Sequence, residues 1–302
     1  MKESVHVPVL LRVIIDYIVV KKDGVYFDAT LDGANMARAI LPKLEGNFIY
    51  AATDRDANAV ENAKHTLAGY GDKVKIFNRN FCEVDEILKE CGRTGFDGML
   101  ADLGISSDQL EDGARGFSFN KEGDLDMRFD QNKGEPLREL LRKMTEREIA
   151  DVIYNLGQER LSFRIARGIA RAVSENKMST SKDLAAAVVA AYPPKLRHGR
   201  IHCATKTFGG FRKFVNDESG SLEKFLAKAY SLLNDKGRLL VISFESIDDA
   251  ITKKSMREAE AAGFGKILTK KPITPSEEES KQNPRCRTAK LRVFERRIAD
   301  DD

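Results

Sequence analysis

At 302 residues, 42% of them hydrophobic, the chain can bury a full core and has the length of about two domains, as an ordinary soluble protein does. Its 50 Lys and Arg against 47 Asp and Glu leave a formal charge of +3, so overall charge does not point to a polyanionic partner and local clustering has to decide. Four scattered cysteines, Cys82, Cys91, Cys203 and Cys286, form no CxxC pair, which argues against a disulfide framework or a zinc site and fits a reducing, cytoplasmic setting.

The first apolar stretch is interrupted by Arg12 and Asp16 and carries Leu10, Leu11, Ile14, Ile15 and Ile18 at helical spacing. It predicts an amphipathic helix, neither a membrane span nor a signal peptide. Residues 25 to 30 then form a short β-rich run containing Asp28, followed by the loop Leu31-Asp32-Gly33 and a helix from about Ala34 to Leu44. Further apolar runs, 48 to 53 before Asp54, 74 to 77, and 96 to 102, alternate with helical segments. This alternation predicts a parallel, doubly wound α/β sheet.

For about the next hundred residues helical signals dominate. Pro136 suits the first turn of a helix through Met144, Thr145 with Glu148 makes a capping box, and Gly157 suits the end of that second helix. A third helix is predicted from near Glu159. Thr180 with Asp183 opens a fourth that Pro193-Pro194 ends. A helix over 222 to 233 and a strand over 238 to 244 resume the α/β pattern, and two β-like stretches, 266 to 270 and 289 to 295, close it. The expected organisation is one discontinuous α/β domain, 1–106 with 214–302, interrupted by an all-helical insert, 107–213. The last two strands can form the antiparallel edge of a Rossmann-like methyltransferase sheet, although pattern alone does not separate this from other such sheets.

Ligands of doubly wound sheets lie at the carboxyl ends of the strands. Asp54, ending the second strand, is placed to accept the hydroxyls of an adenosine ribose, against the plain alternative of a helix cap. Asp102 ends the fourth strand in FDGMLADLGISS and is the candidate for orienting an acceptor, with Asp126 in LDMRFD as a second.

The insert carries the most informative charge pattern. From Arg160 to Lys213 there are twelve Lys and Arg against two acids, Glu175 and Asp183. Arg160, Arg164, Arg167 and Arg171 fall at steps of four, three and four residues, which predicts one narrow helical stripe with no acidic partners at helical spacing. Arg197, His198, Arg200 and Lys206 follow. A solvated face is the ordinary meaning of such a row, but its one-sidedness favours a polyanion, RNA. His198 and His202 lack the third ligand of a metal site, so none is expected.

Several strings together resemble the bacterial small-subunit ribosomal RNA cytosine-N4 methyltransferases, a family also called RsmH or MraW. They are HVPVLL near the start, DATL at 28–31, DGMLADLGISSDQL at 97–110, RGFSFNKEGDLDMRFD at 115–130, RIARGIARA at 164–172, VNDE at 215–218, GRLLVISF at 237–244 and KKPITPSEEESKQNPRCRTAKLRVFER at 270–296. The resemblance spans almost the whole chain. It implies S-adenosylmethionine as donor, the small ribosomal subunit or its RNA as partner, and no membrane. The oligomeric state stays open, a homodimer included.

By the same resemblance, Asp54, Phe81, Asp102 and Gln109 contact the cofactor, as does the loop at Ala34, Asn35 and Met36, although this chain departs there from the family's Gly-Gly-His. The departure predicts weaker donor binding, because side chains stand where close approach favours glycine. The family's TFQALR is TFGGFR at 207–212 here. Two rivals remain: a noncatalytic RNA-binding protein on the same fold, and an oxidoreductase, which the absence of GxGxxG after the first strand disfavours.

Overall fold

The computed structural model describes residues 8–197, 199 and 201–298. Contacts divide the chain into an α/β unit, the residues up to Gly104 with those from Ser219 onward, and a helical unit, Ile105–Glu218. No helix among the described residues is long and apolar enough to cross a membrane.

In the α/β unit, α1 (Leu11–Ile18) buries Ile14 and Ile18 on its apolar stripe. Then β1 (Val25–Asp28), α2 (Asn35–Ile40), β2 (Ile49–Asp54), α3 (Ala57–Thr66), β3 (Val74–Asn78), α4 (Val84–Glu90) and β4 (Phe96–Asp102) alternate. All four residues of β1 are buried, as expected for a central parallel strand covered on both faces. Helix α2 is shorter than its sequence pattern, because Pro42 lacks the amide that would extend it and the chain tightens into a 3-10 turn over Leu41–Lys43.

The helical unit holds α5 (Ser107–Glu111), α6 (Leu137–Lys143), α7 (Glu146–Asn155), α8 (Ser162–Ser174), α9 (Ser181–Ala191) and α10 (Thr205–Asn216). The expected capping box of Thr145 with Glu148 forms on α7, and Thr180 with Asp183, expected to open a helix, makes a second one on α9. Ile149, Ile153, Ile165, Ile169, Leu184, Val188 and Phe211 share one apolar core. Helix α8 starts three residues later than Glu159. That side chain is buried and accepts the Leu161 amide at 2.9 Å and the Tyr192 hydroxyl at 2.6 Å, which holds residues 159–161 in a turn. The sequence pattern did not reveal α10, whose Gly209-Gly210 pair reads as a breaker. A Cβ on Gly210 would stand 2.8 Å from the Gly157 nitrogen, so this glycine lets two backbones meet.

The α/β unit resumes with α11 (Glu218–Ala229), β5 (Leu233–Ser243), α12 (Ser246–Ala261), β6 (Gly265–Ile267), α13 (Glu277–Gln282) and β7 (Lys290–Arg296). Leu233, expected to end a helix, instead starts β5. Its side chain is buried on the sheet, and residues 234–237 form an irregularity between the pairs Phe96 to Leu233 and Gly98 to Arg238. The seven strands lie in the order β3-β2-β1-β4-β5-β7-β6, with β7 antiparallel to both β5 and β6 and the other pairings parallel.

Candidate active site and nucleic-acid interface

The sheet order reverses at β1, which pairs with β2 on one side and β4 on the other. Beyond Asp28 the chain leaves β4 for β2: the Ala29 amide still donates to the Leu100 carbonyl at 2.8 Å, but that of Leu31 donates to Thr53 at 3.1 Å. This divergence opens a crevice at the carboxyl ends of the strands. Asp28, Asp54 and Asp102 end β1, β2 and β4 around it, and Asp32 stands in the following loop.

Asp54 anchors the loop. Its Oδ2 accepts the Asp32 amide at 2.9 Å and its Oδ1 the Asp56 amide at 2.8 Å, each oxygen retaining capacity for a second donor. It does not cap α3, a role taken by Asp56. Burial raises the Asp54 pKa to about 6 in spite of those amides. Asp28 is fully buried and accepts the Tyr50 hydroxyl at 2.8 Å and the Thr30 amide at 3.2 Å, and burial raises its pKa to about 7. Asp102 is raised furthest, to about 8, first by burial and then by the negative charges of Asp32 and Asp28. Its Oδ1 is buried with no hydrogen-bond partner among the described residues.

The loop departs from glycine in sequence but keeps the backbone that glycine favours. Asp32 and Ala34 have φ of 46° and 58°, a left-handed conformation that costs a non-glycine residue roughly 1 to 2 kcal/mol. Ala34 and Met36 are buried in the core, while Asn35 is half-buried. Phe81 is also half-buried and packs edge-on against Phe225, with ring centroids 5.4 Å apart.

Two expected site residues lie in the helical unit and are engaged there. Gln109 Oε1 accepts the Ser106 amide at 3.2 Å, completing the capping box of α5. Asp126 is bidentate to Arg128, at 2.7 Å from Nε and 2.8 Å from Nη2, and also accepts the Arg128 amide. Burial pushes the Asp126 pKa up, but these bonds outweigh it and hold the group below the usual carboxylate range. The Asp126 carboxylate thus closes its own loop through Arg128, whereas Asp102 keeps an oxygen with no partner among the described residues.

The basic stripe is narrower than its spacing suggested. Arg164, Arg167 and Arg171 are exposed on α8, but Arg160 lies in the turn before it, exposed and off the helical stripe. Acidic neighbours are present after all: Glu146 is 3.6 Å from Arg167 and Glu175 is 3.9 Å from Arg171. Both arginines remain about four-fifths exposed, so water screens the pairs. Two cations of the basic segment are not on this surface. Arg212 is bidentate to Glu218, and Lys213 is 1% exposed within the unit. Exposed Lys206 donates to the Gln158 carbonyl at 3.0 Å, and half-buried Arg197 to that of Tyr192 at 3.1 Å. Arg200 and His198 lie outside the described residues.

Sequence reasoning missed Thr30 and Tyr50, which set the positions of Asp102 and Asp28. A tyrosine inside a strand buried on both faces was the available signal, since its hydroxyl must find a partner.

A seven-stranded sheet with one antiparallel strand inserted near its edge, and a crevice lined by carboxylates that suit a cationic donor with a ribose, define an S-adenosylmethionine-dependent methyltransferase. The sequence pattern of the MraW methylase family matches residues 3–297, and the chain belongs to this family. Its relatives include proteins named ribosomal RNA small subunit methyltransferase H. That of Koribacter versatilis is 42% identical, covering 97% of this chain and 94% of the relative. That of Acidobacterium capsulatum is 42% identical, covering 98% and 100%. One from a Nostoc species is 40% identical, covering 98% and 94%.

Proposed function

We propose that this protein transfers a methyl group from S-adenosylmethionine to the exocyclic N4 of a cytidine in small-subunit ribosomal RNA. The observation that carries the reading is the Asp102 carboxyl at the carboxyl end of β4, with one buried oxygen that no described residue satisfies. A buried acceptor of this kind costs stability unless a ligand donates to it.

The cofactor fits the residues present. Asp54 keeps lone pairs for ribose hydroxyls, half-buried Phe81 offers a ring face or edge to adenine, and the acids of the crevice favour a sulfonium. The loop at Ala34 and Asn35 and the Met36 backbone border the same strand ends. The bound donor supplies an electrophilic methyl group, and its transfer to N4 breaks the S–CH3 bond, makes an N–CH3 bond and releases one proton.

The N4 lone pair is delocalised into the ring, so the amine must be held in line and its protons accepted. The Asp102 carboxylate accepts an N4 hydrogen and takes the proton as the bond to carbon forms. Its raised pKa fits a group that must bind a proton near neutrality, and a neighbouring cation favours the ionised form needed at the start. On the helical unit, Arg160, Arg164, Arg167, Arg171, Arg197, Arg200 and Lys206 are assigned to RNA phosphates.

The test is methylation with labelled donor of small-subunit RNA, and of small subunits from cells lacking this gene, followed by mass spectrometry of the nucleosides. N4-methylcytidine is expected. Label on another base or at cytosine C5, or no label on either substrate, would refute the proposal.

A further inference from the structure

At the sheet's switch point the backbone ladder runs out one residue too early for Asp102. Its amide faces the side of β1, but β1 ends at Asp28, whose partner on β4 is Leu100. By Leu31 the chain has moved to β2, so no strand carbonyl is offered to Asp102. The hydroxyl of Thr30 fills the gap: its Oγ1 accepts the Asp102 amide at 2.8 Å. The Thr30 amide, which falls between the two ladders, donates to Asp28 at 3.2 Å. Asp28 is fixed from behind by the buried Tyr50 hydroxyl, at 2.8 Å.

From this we infer that Thr30 is a positioning residue for methyl transfer, its side chain standing in for a missing strand bond and thereby fixing where the Asp102 carboxylate points. Tyr50, Asp28 and Thr30 form one connected chain behind Asp102, and three strands supply or flank it. The inference rests on the assignment of Asp102 to the acceptor amine. Thr30 itself touches neither reactant; it acts through the backbone of the residue that does. A displacement of about 1 Å at such a group is enough to cost on the order of a hundredfold in rate.

The experiment compares Thr30→Ser, Thr30→Val and Thr30→Ala with the parent, and runs Asp102→Asn beside them. Steady-state methylation of small subunits from cells lacking this gene is measured together with calorimetric donor binding and melting curves. Thr30→Val and Thr30→Ala are expected to lower kcat by roughly 10- to 100-fold while donor Kd and RNA KM stay within about threefold. Thr30→Ser, which keeps the oxygen, is expected to recover kcat to within about threefold of the parent.

Parental kcat in Thr30→Val and Thr30→Ala would overturn the inference. So would loss of donor binding or of folding in step with activity, or failure of serine to rescue, since each marks Thr30 as a structural or cofactor residue. Parental kcat in Asp102→Asn would overturn the assignment of Asp102 itself. Loss in Asp102→Asn with no loss in the oxygen-free Thr30 variants would overturn the role of Thr30 alone.

Discussion

Burial and two neighbouring acids disfavour the charge on Asp102 and raise its pKa to about 8, and nothing among the described residues donates to Oδ1. Asp102→Asn is expected to lower kcat by roughly 10²- to 10⁴-fold, the usual contribution of a placed acid or base. Donor Kd should change far less, and the variant should melt no lower than the parent at pH 8. Comparable losses of donor affinity and rate would make Asp102 a cofactor ligand instead. A second expectation follows from the pKa values of the two acids placed toward the donor, about 6 for Asp54 and 7 for Asp28. A cationic donor favours their ionised forms, so its affinity should rise by about tenfold or more between pH 6 and 8.5, with protons released on binding at pH 7. Calorimetry in buffers of different ionisation enthalpy measures both; an affinity flat over this range contradicts the assignment of the acids to the donor.

Among the elements, α8 tests the reading of the helical unit. Its arginines are exposed and only loosely paired, so Arg164→Gln with Arg167→Gln should weaken RNA binding and reduce the magnitude of the log–log salt slope by roughly 1 to 2. Stability should shift by no more than about 0.5 kcal/mol, because neither side chain is buried. An unchanged slope over a salt series removes the stripe from the RNA interface. The element boundaries also show which sequence signals were legible. The caps at Thr145 and Thr180 were readable because a cap is a local bond between residues three apart. Helix α10 was not, because the use of Gly210 depends on Gly157, more than fifty residues away in sequence. The start of α8 was misread for the same reason, since Tyr192 helps to hold the Glu159 turn.

For the molecule as a whole, two groups of acids pull stability in opposite directions with pH. Asp249, beside Arg292 and Lys290, and Glu295, beside Arg238 and Arg297, are held below the usual carboxylate range once these partners outweigh burial. Their contribution is present above the unfolded pKa and lost as pH falls through the folded one. The strand-end acids are raised, so their contribution is full below about 4, the unfolded value, and is lost as pH rises through about 6 to 8. The free protein should therefore melt highest in mildly acidic buffer, about pH 5 to 6, and saturating donor should move that optimum upward. A melting series with and without donor checks this, and an optimum above pH 8 without donor would contradict it.

The sequence by itself determined the class of sheet, the family, the strand-end stations of Asp54 and Asp102 and the existence of a basic helical segment. Each is written in a local period, a strand end or a contiguous motif, which neighbouring residues specify without reference to the rest of the chain. Only the tertiary structure decided that Asp126 is locked to Arg128, that Met36 belongs to the core, that Arg160 leaves the stripe and that Lys213 is buried. It also decided that Thr30 bonds to Asp102, seventy-two residues away in the chain. These outcomes depend on which distant side chain or backbone reaches a given atom first, and burial then makes a group's partner, more than its identity, set its charge and its use.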